Sequence, residues 1–162
     1  ASGIATIENI DINDFQENNT ATIEISSTSL GDYEYSLDGV NYQDSTIFTN
    51  LNAGEYTVYV QDKKGCGIVF ETFYILDYPK YFTPNGDGYN DNWFIKNLDK
   101  RNLENSIINV FDRYGKLLKQ ISGVSEGWNG TFNGNLLPGS DYWFEIKLTN
   151  GKSVKGHFTL KR

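Results

Sequence analysis

Methionine is absent, cysteine and histidine occur once each, and only three prolines are spread over 162 residues. A lone Cys66 excludes an intrachain disulfide and a cysteine metal cluster. With His157 as the sole histidine, a zinc site lacks donors. No Ser or Cys stands in a pattern with a base and an acid, so triad catalysis has no visible apparatus. Carboxylates are plentiful, but on an acidic surface they are the expected background and define no glycosidase pair. No apolar run approaches the roughly 18 residues that a membrane helix needs. Ala1 opens no basic-then-apolar leader. The expectation is a soluble chain, not an enzyme, with no transmembrane segment of its own and no nucleic-acid partner. It reads as the C-terminal piece of a longer protein whose export signal lies upstream.

What the chain has in quantity is aromatic residues, 15% of the total, with eleven Tyr, ten Phe and sixteen Gly. That composition favours strands and tight turns over helices. Alternation is clear in Thr22 to Ser26, Tyr33 to Leu37, Glu55 to Gln61 and Ile68 to Ile75. Asp38-Gly39, Asn52-Ala53-Gly54 and Lys64-Gly65 supply the turns between them. The second half repeats the logic in Trp93 to Ile95, Ile107 to Asp112, Lys116 to Ile121, Tyr142 to Leu148 and Val154 to Leu160. Tyr114-Gly115, Asn133-Gly134 and Asn150-Gly151 are its turn dipeptides. Only Leu98 to Asn105 suits a short helical turn. The fold class is therefore all-β, as two small antiparallel immunoglobulin-like β-sandwich domains in tandem.

The net charge of −7 conceals a split. Residues 1–78 carry 13 acids against only Lys63 and Lys64, a balance of −11, whereas residues 79–162 carry 12 bases against 8 acids, a balance of +4. Such asymmetry marks two units with different surroundings, placing the boundary between 1–77 and 78–162. Either the two surfaces are simply solvated independently, or the basic half meets an acidic or lipid-rich surface during export.

From Pro79 onward the words are distinctive. Pro79-Lys80-Tyr81-Phe82-Thr83-Pro84-Asn85-Gly86-Asp87-Gly88-Tyr89-Asn90-Asp91-Asn92-Trp93 is followed by Val110 to Leu118 (VFDRYGKLL) and by Gly127 to Gly134 (GWNGTFNG). Leu137-Pro138 with Asp141 to Phe144 (DYWF) and the terminal Gly156 to Arg162 (GHFTLKR) complete the series. Five motifs in this order resemble the type B C-terminal sorting domain of the Bacteroidetes type IX secretion system, the gliding motility-associated C-terminal domain family. The resemblance implies a non-catalytic signal for the type IX translocon, partnered by a PorP/SprF-like outer-membrane barrel, that brings cargo through the periplasm to the cell surface or extracellular space. Residues 31–66, with YSLDG and then F..L.AG.YTV.V.D..GC, resemble less tightly the repeats of SprB-like gliding adhesins. Repeats of that type often carry a second cysteine earlier, which is missing here, so their disulfide is not implied. An adhesive or carbohydrate-binding β-sandwich is the alternative reading.

Asn85 to Asp91 is the one segment with ligand chemistry. Aligned on a calcium loop, Asn85 and Asp87 would give side-chain oxygens, Tyr89 its carbonyl and Asp91 a direct or water-bridged carboxylate. Thr83 stands at the usual first ligand position and Phe94 replaces the bidentate Glu, so a pair of consecutive turns capped by Asn85, Asp87 and Asp91 is the competing reading. No cofactor is required in either case, and calcium is the one candidate. Trp93, Trp128 and Trp143 suit a thin sandwich core better than a sugar platform, unless a contiguous patch is exposed. Lys155, His157, Lys161 and Arg162 lie on or beyond the last strand. They are either charges guarding a solvated edge or contacts to the export machinery, made by strand addition or by pairing with acidic groups. Asp44-Ser45-Thr46 resembles a Bacteroidetes O-glycosylation acceptor, and Asn18 and Asn129 head short sequons, all weak patterns.

Overall fold

In a computed structural model that describes residues 3–122, 125 and 127–162, the chain forms two compact units, Ala1–Asp77 and Tyr78–Arg162. The first holds β1 (Ile7–Asn13), β2 (Asn19–Ile25), β3 (Tyr33–Ser36), β4 (Ile47–Leu51), β5 (Gly54–Asp62) and β6 (Ile68–Ile75). These make two antiparallel sheets of three strands, β1-β2-β4 and β3-β5-β6. Period-two alternation turns Ala21 and Ile23 of one sheet, and Tyr35, Val58, Val60, Phe73 and Ile75 of the other, into a shared core. β1 is, with β4, a strand of this unit that alternation did not reveal. A register shift between Ile7 and Asn9 breaks its period, so its isoleucines fall at 7, 10 and 12.

The second unit is built on a five-stranded sheet. Its strands are β7 (Tyr81–Phe82), β8 (Ile107–Phe111), β9 (Leu117–Ser122), β12 (Ser140–Lys147) and β13 (Ser153–Leu160), in the order β7-β13-β12-β8-β9. The sheet is antiparallel except at β7, which pairs in parallel with the end of β13. The facing layer is made of short pieces. One is the hairpin of β10 (Thr131–Phe132) and β11 (Asn135–Leu136), another a single bridge between Trp93 and Trp128, and the third a 3-10 turn at Asp99–Arg101. Asn133 and Gly134 take φ of 50° and 81° in that hairpin, the left-handed pair that a two-residue loop requires.

The strand expected at Trp93 to Ile95 is thus reduced to one bridge, in which each Trp amide donates to the other's carbonyl at 2.8 and 3.0 Å. Asn90 and Asn97 on either side are both left-handed, which bends the chain out of any longer ladder. The core explains why that bridge holds. Trp93 and Trp128 are buried, Trp93 stacks on Phe158 with centroids 4.2 Å apart, and Trp128 meets Tyr142 edge-on at 5.1 Å. Each such pair contributes about 0.5–1.5 kcal/mol beyond its burial. Both indole N–H groups are satisfied, by the carbonyls of Pro79 and Thr131 at 2.9 Å.

Candidate functional site

The loop from Asn85 to Asp91 closes on itself. Asp91 Oδ1 accepts from the amides of Asn85 (3.1 Å) and Gly86 (2.9 Å), and Oδ2 from that of Gly88 (2.8 Å). Asn85 Oδ1 takes the Asp87 amide and Asp87 Oδ1 that of Tyr89. The Gly88 amide, joined by those of Gly86, Asn85 and Asp87, holds the Asp91 carboxyl below the usual carboxylate range against a smaller opposing effect of desolvation. Gly86 and Gly88 stand at φ 78° and 85°, so only residues without Cβ strain take these turns freely. Asn85, Asp87 and Asp91 therefore act on backbone amides in the geometry of consecutive turns. The Tyr89 side chain is exposed. Among the described residues no group of three or more His, Cys, Asp or Glu is placed to hold a metal ion.

At the other end of the sequence, alternation along β13 is as expected: Phe158 and Leu160 are buried, whereas Lys155 and His157 are exposed. The strand is not the sheet's edge at its C-terminal end. β7 flanks it there, with the amides of Thr159 and Lys161 donating to the carbonyls of Lys80 (2.9 Å) and Phe82 (3.0 Å). Strand addition at that end of β13 is closed by the chain itself. Pro79 has no N–H, and the β7 ladder does not extend upstream of Tyr81.

The four basic residues singled out in the sequence part company. Lys155 pairs with Glu145 at 3.3 Å, and His157 stands beside the Trp143 ring, centroids 6.3 Å apart. Lys161 lies over the Tyr81 ring at 4.3 Å. Arg162 ties the chain end to its own domain, with Nε donating to the Leu137 carbonyl (2.6 Å) and Nη2 to that of Gly130 (3.3 Å). Alternation locates Lys155 and His157, but nothing in the sequence reveals that Arg162 reaches carbonyls 25 and 32 residues earlier.

In the first unit the acceptor triplet meets a cation, since Asp44 Oδ1 lies 2.6 Å from Lys63 Nζ. Asp62, which the sequence reading passed over, is buried and accepts from the amides of Lys64 (2.8 Å) and Gly3 (2.7 Å). The Lys64 amide foremost holds its carboxyl below the usual range. Cys66 is exposed, and its thiol hydrogen-bonds the Asp62 carboxylate.

The chain is all-β, and its second unit closes a tryptophan-centred core around β13. The chain belongs to the CHU_C type IX secretion signal domain family, whose model matches residues 76–160. A type IX signal implies export to the cell surface or extracellular space and engagement of the type IX machinery. Among solved structures the chain is similar to PorZ, a bacterial surface component of the type-IX secretion system of Porphyromonas gingivalis (18% identity, 98% of this chain and 23% of that one, TM-score 0.41). It is also similar to the 47-kilodalton lipoprotein Tp47 of Treponema pallidum (13%, 96% and 51%, TM-score 0.35). A third likeness is to the fibronectin(III)-like modules of Clostridium thermocellum CbhA (7%, 96% and 92%, TM-score 0.32). The chain spans about half the length of Tp47 and under a quarter of PorZ, and likenesses this loose carry no argument about function. No curated protein matches the sequence.

Proposed function

We propose that residues 78–162 are a non-catalytic sorting signal that carries an upstream surface protein across the outer membrane, docking on a PorP/SprF-like barrel as it does so. Residues 1–77 are then the last stalk module of that cargo, of the kind repeated in gliding adhesins. The observation that carries the reading is the coincidence of the family match, 76–160, with a separately folded unit, 78–162. Affinity for the partner comes from shape and a few charged anchors, Lys155 and His157 above all, because both are exposed on the sheet while Arg162 is engaged within the domain. No cofactor is needed. Calcium is the one ion suited to the oxygens around Asp87 and Asp91, and the satisfied amides favour the loop without it.

The test fuses residues 1–162 to a periplasmic fluorescent reporter in a type IX-competent cell, with and without the barrel. Surface or medium fluorescence that depends on both supports the reading; export indifferent to the type IX system discards it. Deleting residues 156–162 is a poor version of this test, since it removes Phe158 and Leu160 from the core. Lys155→Glu with His157→Glu probes the surface and leaves those inward positions intact.

A further inference from the structure

The three tryptophans are not equivalent. Trp93 and Trp128 are buried at 0% and 1%, whereas Trp143 is 39% exposed on the opposite, outer face of the five-stranded sheet. Strand register sets Phe111 of β8 and His157 of β13 directly beside it, giving a row of three rings across three adjacent strands. An open groove of about 560 Å³ runs along this row, within the range of small-ligand sites.

The rows on either side are polar. In one, Glu145 lies opposite both Asn109 and Lys155, with its carboxylate 3.3 Å from the lysine. In the other, Asp141 accepts a hydrogen bond from Thr159 at 2.7 Å. Successive rows of a strand face are about 7 Å apart, so donors and acceptors bracket the aromatic row within reach of one ring-sized ligand. The charges nearly cancel: Arg113 and Lys155 line the groove with Asp112 and Glu145, and Lys147 and Asp141 lie further along β12, with one acid–base pair already formed. Neither a phosphate nor a polyanion finds the surplus of cations it requires.

We propose that this face is a binding site for an uncharged saccharide. The apolar face of a sugar ring packs on Trp143 and Phe111, and its hydroxyls exchange hydrogen bonds with Glu145, Lys155, Asn109 and Asp141. The balance of charge selects a neutral polyhydroxyl ligand over a charged one, and an aromatic centre between polar rows matches a ring with an apolar face and a polar rim. The sugar site shares Lys155 and His157 with the anchors proposed for the barrel but centres on Trp143, so sugar binding and export are read separately.

The experiment uses the full chain and its intrinsic fluorescence, in which Trp143 is the exposed reporter, titrated with cellohexaose, xylohexaose and mannohexaose. At least one is expected to change the exposed tryptophan's emission. Trp143→Ala, with its fold checked by circular dichroism, is expected to weaken binding of that sugar roughly tenfold or more in calorimetry, with Trp143→Phe in between. Trp143→Ala is expected to be exported as wild type, separating sugar binding from sorting. Failure of all three sugars at about 10 mM, or equal affinity of Trp143→Ala, overturns the proposal. Loss of export in a folded Trp143→Ala chain that binds no sugar overturns it too, and leaves Trp143 to the docking surface around Lys155 and His157.

Discussion

Single side chains here do their work on backbone groups that no strand satisfies. Asp91 gathers three amides of its own loop, and its carboxyl is depressed by them. A depressed folded pKa contributes stability that is present above the unfolded value, near about 3.9, and is lost as pH falls through the folded one. Thermal melts of the wild type are therefore expected to drop as pH falls below about 4. Asp91→Asn is expected to melt lower at neutral pH and to show a shallower acid slope; an unchanged slope would contradict the assignment. Calcium titration of the wild type and of the Asp87→Ala, Asp91→Ala double variant is expected to give the same heats. Distinct, saturable heats in the wild type would restore the metal. Arg162 works on carbonyls instead of amides. Arg162→Ala is expected to cost about 1 kcal/mol in denaturant unfolding, for two charge-assisted bonds, one exposed and one partly buried.

Elements show where the sequence was legible and where it was not. β5, β6, β8, β12 and β13 were readable because each has one face in a core and one in solvent, so its period of two is intact. β1 hid behind a bulge, and β7, at two residues, is too short to carry a period. The Trp93–Trp128 bridge was unreadable for a different reason: it joins residues 35 apart through backbone bonds that leave no local pattern. The loop's capping carboxylates could be named from Asn-Gly-Asp-Gly spacing, whereas the anchoring of Arg162 depends on where the 130 and 137 carbonyls fall in space. Gly127 supports the bridge. At φ 91° a Cβ would stand 2.4 Å from the Trp93 carbonyl oxygen, which cannot yield without breaking the pairing. Gly127→Ala is expected to destabilise the second unit by about 2–4 kcal/mol, combining left-handed strain with overpacking. A melt within error of wild type would mean that the bridge is dispensable.

Across the whole chain, chemistry is divided as sharply as charge. All three tryptophans belong to residues 78–162 and none to 1–77, while tyrosines and strands occur in both. Each unit has its own buried core, so each is expected to hold its own stability. Tryptophan fluorescence then reports unfolding of the second unit, whereas far-ultraviolet circular dichroism reports both. In Gly127→Ala the fluorescence transition is expected to move to lower temperature while part of the dichroism change stays at its wild-type position. A coincident shift of both signals would show that the acidic unit depends on the basic one. That outcome matters for export. If the first unit is stable alone, the sorting unit can be damaged or removed without unfolding its neighbour. The reporter lost from the surface in Gly127→Ala then measures the signal itself rather than the cargo's collapse.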